Sequence, residues 1–143
     1  MKSPIIVECR FNKSKEVVWK AITELNQMTQ WFFENIPDFK AETGFKTKFN
    51  VKAPSRDFMH LWEILEVIDY EKIVYDWRYE GIEGIGKITF NITKENNQTV
   101  LTLINEGLDS FPQNKYPEFT EESCYGGWNY FLNERLANYL SKL

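Results

Sequence analysis

Few residues of this chain could do chemistry, and their spacing argues against the commonest kinds. His60 is the only histidine, which speaks against a zinc site built from protein ligands. Cys9 and Cys124 stand in separate elements without paired spacing, so they read as reduced interior thiols and not as a disulfide framework or a metal clip. No serine, histidine and aspartate fall into a convincing triad. Glu63, Arg78, Asn105 and Glu106 are the other polar candidates, all on strand-like stretches. A general base at His60 or Glu63 would require burial. Asn105 shares parity with Leu101 and Leu103 and should point inward. A buried amide needs partners, which makes it a structural hydrogen-bond hub or the orienting group for a ligand; the structural role is the working expectation. No catalytic residue, metal or cofactor is assigned.

Aromatic surface is more plentiful than chemistry. Aromatics make up 16% of the chain, which favours large side chains arranged around a space. Trp31, Phe32, Phe49, Trp62, Tyr75, Trp77, Phe90, Leu103, Asn105, Trp128 and Phe131 are the candidate lining of a ligand cavity. Filling of an ordinary core is the alternative for each aromatic. Phe111, Tyr116 and Phe119 lie in a loop that could gate the mouth of such a cavity, an ordinary packed loop being the working expectation.

The elements that must position these residues follow from periodicity. The stretch from Glu118 to Leu143 reads as the only long helix, with Trp128, Leu132, Leu136, Tyr139 or Leu140, and Leu143 on one stripe and Cys124 and Phe131 at its edges. Gly126-Gly127 is unusual inside it: either the helix starts only there, or the missing side chains let a strand, loop or ligand approach. Ile5 to Asn12 alternates as a half-buried strand. Ser14 is the expected N-cap of a short helix carrying Val17 to Leu25, and Thr23 or Asn26 the cap of a second one carrying Met28, Trp31 and Phe32. Further strands are expected over Phe45–Lys52, Met59–Ile68, Ile73–Glu80, Lys87–Thr93 and Leu101–Asn105, with a loop over Gly81–Gly86. The inward face of 59–68 stays open between Leu61, Glu63, Leu65 and Val67 on one side and His60, Trp62, Ile64 and Ile68 on the other. The result is an α+β single domain over 1–143: a curved antiparallel sheet of about seven strands, two short helices after strand 1 and a long C-terminal helix across the sheet.

Composition narrows the partners. At 143 residues, 43% hydrophobic and 27% charged, the chain has a globular composition for one domain. A net charge of −4 argues against sequence-independent nucleic-acid binding, and Lys46, Lys48 and Lys52 read as a solvated strand face. Met1 to Glu16 holds only the short apolar run Ile5-Ile6-Val7, too short for a signal peptide or a membrane span, so a cytoplasmic location is expected. Monomer and homodimer both remain open.

Five pieces in order carry a family resemblance: Val17-Val18-Trp19-Lys20-Ala21-Ile22-Thr23, then Trp31-Phe32, then Glu66-Val67 leading to Ile73-Val74-Tyr75-Asp76-Trp77, then Thr99 to Leu103 with Gly107, and Gly127-Trp128 opening an apolar helix. Together they resemble the START-like, or SRPBCC, superfamily with its helix-grip fold, in the branch named after the activator of the ninety-kilodalton heat-shock protein ATPase. The resemblance implies a hydrophobic small-molecule ligand, a lipid included, between sheet and helix, with a chaperone as an alternative partner and a cyclase-like activity as a third reading. Where many relatives carry histidine near the end of the last strand this chain has Asn105, and where a proline pair is common it has Asp69-Tyr70. The first change removes a titratable group from the expected cavity.

Overall fold

Strict alternation from Ile5 to Phe11 makes β1 (Ile5–Phe11), whose residues are buried and exposed in turn along its whole length. This is seen in a computed structural model that describes residues 4–143; Met1–Ser3, part of the leading stretch read as free of a signal, lie outside the described residues. The change to helical spacing produces α1 (Lys15–Thr23), capped as expected by Ser14, whose hydroxyl accepts from the Val17 N–H at 3.2 Å. The second expected cap is corrected. The extended Glu24 alone separates α1 from α2 (Leu25–Trp31) and makes no side-chain cap bond, while the Thr23 hydroxyl turns back to donate to the Trp19 carbonyl.

Five further strands follow: β2 (Lys46–Lys52), β3 (Asp57–Ile68), β4 (Lys72–Tyr79), β5 (Ile82–Glu95) and β6 (Gln98–Glu106). Among the described residues six strands form the sheet, not about seven, in the order β1-β6-β5-β4-β3-β2 with every neighbour antiparallel. On β3 the face left open resolves to Phe58, His60, Trp62 and Ile64 pointing inward. An irregularity between Ile64 and Glu66 then shifts the register, so Leu65 and Ile68 are both exposed and Val67 packs against the core. The expected loop over Gly81–Gly86 is also corrected. Tyr79 pairs with Ile82 across a tight turn in which Gly81 takes φ +77°, and the rest of that stretch belongs to β5. Gly84 and Gly86 serve the strand by what they lack: a Cβ on Gly84 would lie 2.4 Å from the Phe111 ring, so the two glycines form a slot that seats Phe111.

The C-terminal helix starts later than expected. Pro117–Phe119 is a separate 3₁₀ turn; Thr120 is the N-cap, accepting from the Ser123 N–H at 3.3 Å, and α3 (Glu121–Asn129) begins there with two glutamates in its first turn. The helix runs on without a gap through π-helical turns at Tyr130–Leu136 into α4 (Ala137–Ser141). Trp128, Leu132, Leu136 and Leu140 are its buried ladder, spaced strictly by four. In a regular α-helix each four-residue step overshoots a turn by about 40°. The wider π turns undo that drift and keep the ladder straight over the sheet. Leu143, expected on the same stripe, is 59% exposed. Tyr139 Oη donates to Gln27 Oε1 at 3.1 Å and Arg135 Nη2 to the Gln30 carbonyl at 3.1 Å, tying the helix to α2.

Leu132→Ala, at a fully buried rung, should cost about 2–5 kcal/mol of unfolding free energy. Leu143→Ala should stay within about 0.5 kcal/mol of the parent. Urea unfolding followed by circular dichroism measures both.

Candidate functional site

A void opens where the first turns of the C-terminal helix cross the sheet. Its floor is a diagonal of inward strand residues joined by register: His60 opposite Tyr79, Trp77 opposite Gly86, and Ile88 opposite Asn105. Its roof comes from Cys124, Gly127, Trp128 and Phe131, its side from Phe32 and Phe33 at the end of α2, and its mouth from Leu108, Phe111, Glu118 and Phe119. The volume is about 190 Å³. That is below the ~300–1,000 Å³ of drug-sized sites and slightly above the roughly 150 Å³ of an engineered cavity that takes benzene. Space of this size suits a molecule of one or two rings.

Of the eleven residues expected to line a cavity, Phe32, Trp77, Asn105, Trp128 and Phe131 do so. The other six are packed in the core. Trp31 is fully buried behind Phe32, stacked on it at 4.7 Å, and donates its Nε1–H to the Ala21 carbonyl at 2.8 Å. Phe49 lies behind His60, stacked at 5.1 Å. Trp62, Tyr75, Phe90 and Leu103 are the next inward residues beyond the diagonal on their strands, each at most 2% exposed. The Trp62 Nε1 and Tyr75 hydroxyl are buried with no partner among the described residues. Sequence reasoning missed Phe33, Tyr79 and Ile88 as lining. Parity did point Tyr79 and Ile88 inward, but Phe33 is the neighbour of an inward residue, and only the non-helical Phe32 backbone at the end of α2 turns both rings the same way. Phe111 and Phe119 are buried in a packed loop, on each other at 5.0 Å and on Tyr79.

His60 is buried; its Nδ1 lies 3.1 Å from the Phe58 carbonyl. A carbonyl oxygen can only accept, so Nδ1 carries the hydrogen and Nε2 holds the lone pair. Burial pushes the imidazole pKa down to about 4, against the smaller pull of that hydrogen bond, so the ring is neutral at pH 7. Asn105 is 8% exposed, and its carboxamide has no hydrogen bond among the described residues. The hub expected at Asn105 is therefore not formed by those residues. Glu118 is held from outside: Ser55 Oγ donates to its Oε2 at 2.9 Å and Arg56 Nε sits 3.2 Å from the same oxygen. Desolvation opposes its ionisation, but its backbone hydrogen bond, Ser55 and Arg56 outweigh that and hold the carboxyl below its usual range. Cys124 Sγ donates to the Glu118 carbonyl, and burial raises the thiol to about 11, which suppresses the thiolate. Glu63, Arg78 and Glu106 stand away from the void; Arg78 is exposed and pairs with Asp76 at 2.8 Å.

Gly126 and Gly127 are interior helix residues, and a Cβ on either would meet no atom within 4 Å. Of the two alternatives left by the sequence, a late helix start is thus excluded, and no strand or loop uses the space. Among the described residues no group of His, Cys, Asp or Glu could hold a metal ion, and no helix is long and apolar enough to cross a membrane.

Comparison with known proteins places this geometry. The sequence model of the family described as Activator of Hsp90 ATPase homolog 1-like protein matches residues 12–141. No curated protein is significantly similar in sequence. Among solved structures, DynU16, a protein of the dynemicin biosynthetic locus, superposes with a TM-score of 0.77 at 21% identity, over 99% of this chain and 48% of its own. This chain therefore spans about half the length of that relative. A Mesorhizobium loti protein gives 0.78 at 23% identity over 97% of both chains. The Aha1 dimer of Colwellia psychrerythraea gives 0.71 at 16%, over 96% of this chain and 95% of its own. These likenesses establish the helix-grip fold.

The His60 ring should titrate near pH 4 by NMR. Its folded pKa lies below the ordinary value near 6.5, so between those limits the unfolded chain binds the extra proton. Stability from this group is complete above about pH 6.5 and falls as pH drops toward 4, by on the order of 3 kcal/mol. His60→Phe should flatten that part of the stability profile.

Proposed function

The chain belongs to the Activator of Hsp90 ATPase homolog 1-like family, and from that fold we propose that it binds a compact hydrophobic or aromatic molecule between the C-terminal helix and the sheet. The observation that carries the reading is the void itself, walled by aromatic rings beside Trp128. A glycine inside a helix costs about 1 kcal/mol against alanine. Here the missing side chain relieves no contact with the protein, and Gly127, exposed on the helix, borders the void beside Trp128. The walls agree with such an occupant: Trp77, Trp128, Phe32, Phe33 and Phe131 offer flat apolar faces, and the few polar groups at the rim can orient what lies between them. The kinship with a protein of the dynemicin biosynthetic locus supports the fold and leaves the ligand to the cavity's own chemistry.

The family description favours a second reading, stimulation of an Hsp90-type ATPase through a protein interface. Adding this domain to the cognate chaperone separates the two. The ligand reading expects no rise in ATPase rate, and stimulation at stoichiometric amounts would favour the interface.

Naphthalene, followed by quenching of tryptophan fluorescence, tests the cavity itself. Gly127→Ala should raise stability by about 1 kcal/mol without strain. Gly127→Leu should keep the helical spectrum and lose naphthalene binding, because its side chain occupies the void. Undiminished binding by Gly127→Leu would contradict the reading.

A further inference from the structure

His60 is the one polar group on the floor whose hydrogen-bonding sense cannot change. Asn105 can offer either its N–H or its carbonyl by rotating the amide, so it accommodates donors and acceptors alike. The Tyr79 hydroxyl accepts from Trp77 Nε1 at 2.9 Å and keeps its own hydrogen free to adapt. The imidazole has no such freedom. Its Nδ1–H is committed to the Phe58 carbonyl, and the ring is pinned by Phe49 stacked at 5.1 Å and by Tyr79 and Trp77 edge-on at 4.8 and 5.5 Å. Its Nε2 has no partner among the described residues, and Tyr79, the cross-strand neighbour, is turned to Trp77 instead. A ligand that covers Nε2 without offering a hydrogen strands a desolvated acceptor.

Charge adds a second filter. Among the lining residues there is no Lys or Arg, and the one carboxylate, Glu118, is held through Oε2 by Ser55 and Arg56 from outside the void, while its Oε1 is buried without a partner among the described residues and adds to the repulsion of an anion. A carboxylate or phosphate placed inside would be desolvated with no cation to meet it.

Resting on the cavity reading above, we propose that the site selects an uncharged aromatic molecule bearing a hydroxyl or N–H that donates to His60 Nε2, and rejects anionic ligands of the same shape. His60 is then the specificity-determining residue, a positioning acceptor and not a catalytic base. The aromatic body lies along the floor under Gly127 and Trp128, with the donor at the β3 end and Asn105 at the β6 end, where its amide suits whatever polar group arrives.

Three probes on one naphthalene frame test this: 2-naphthol, 2-methoxynaphthalene and 2-naphthoate, titrated calorimetrically into the parent protein and into His60→Phe. The parent should bind 2-naphthol roughly tenfold more tightly than 2-methoxynaphthalene, the worth of one hydrogen bond kept or stranded, and should bind 2-naphthoate most weakly. His60→Phe should equalise naphthol and methoxynaphthalene while still rejecting naphthoate. If that variant does not fold, the order among the three probes on the parent decides alone. Equal affinity of the parent for naphthol and methoxynaphthalene, or naphthoate binding as tightly as naphthol, would overturn the inference and leave the cavity reading standing. Binding of none of the three would overturn both.

Discussion

The molecule depends on one apolar contact, the straight ladder Trp128, Leu132, Leu136 and Leu140 seated on the inward face of the sheet. Three of its rungs meet the core tightly, with Leu132 and Leu136 wholly buried. Only the first rung, Trp128, faces a space. The π-helical turns at Tyr130–Leu136 reconcile the two regimes. They hold the leucine rungs in line, while the first turns, mostly exposed and carrying the two glycines, lie against β1 at the edge of the sheet. The cavity lies between these turns and the inward faces of β3 to β6.

This explains why the aromatics divide as they do. Phe32, Phe33, Trp77, Trp128 and Phe131 form one wall system, and Trp31, Phe49, Trp62 and Tyr75 stand immediately behind it in ring-to-ring contact. Edge-on and tilted rings at 5–6 Å make a stiff backing, each pair adding about 0.5–1.5 kcal/mol beyond burial. Phe111 in its glycine slot, next to Phe119 and Tyr79, closes the mouth from the loop side, and Arg56 lying 4.8 Å over Tyr116 while paired with Glu118 anchors that loop to the β2–β3 turn.

Much of this was legible in the sequence wherever a single period governed a stretch. Alternation placed β1, β4 and β6 with their inward faces, and the four-residue spacing of leucines marked the helix. Parity distinguishes in from out, however, and not how far along the helix an inward residue lies. Trp62, Tyr75, Phe90 and Leu103 point the same way as the cavity floor and sit one inward residue too deep. On β3 both parities are apolar and a bulge changes the register midway, so no period could choose the face. Gly81, Gly84 and Gly86 carry the composition of a loop, yet two of them are in-strand accommodations of a ring 25 or more residues away, a long-range contact that no local signal reports. The free acceptor on His60 was invisible for the same reason, since it follows from a neighbouring carbonyl and from the burial of both.

The central claim, that the space between Trp128 and the sheet is a preformed apolar site, is tested most directly by xenon. Xenon enters dry apolar cavities without needing a polar partner. In NMR spectra under xenon pressure, saturable shifts should appear at Gly127, Trp128, Trp77 and Ile88 and be absent at Trp31 and Leu136. Shifts spread evenly over the core, or none at Trp128, would contradict it.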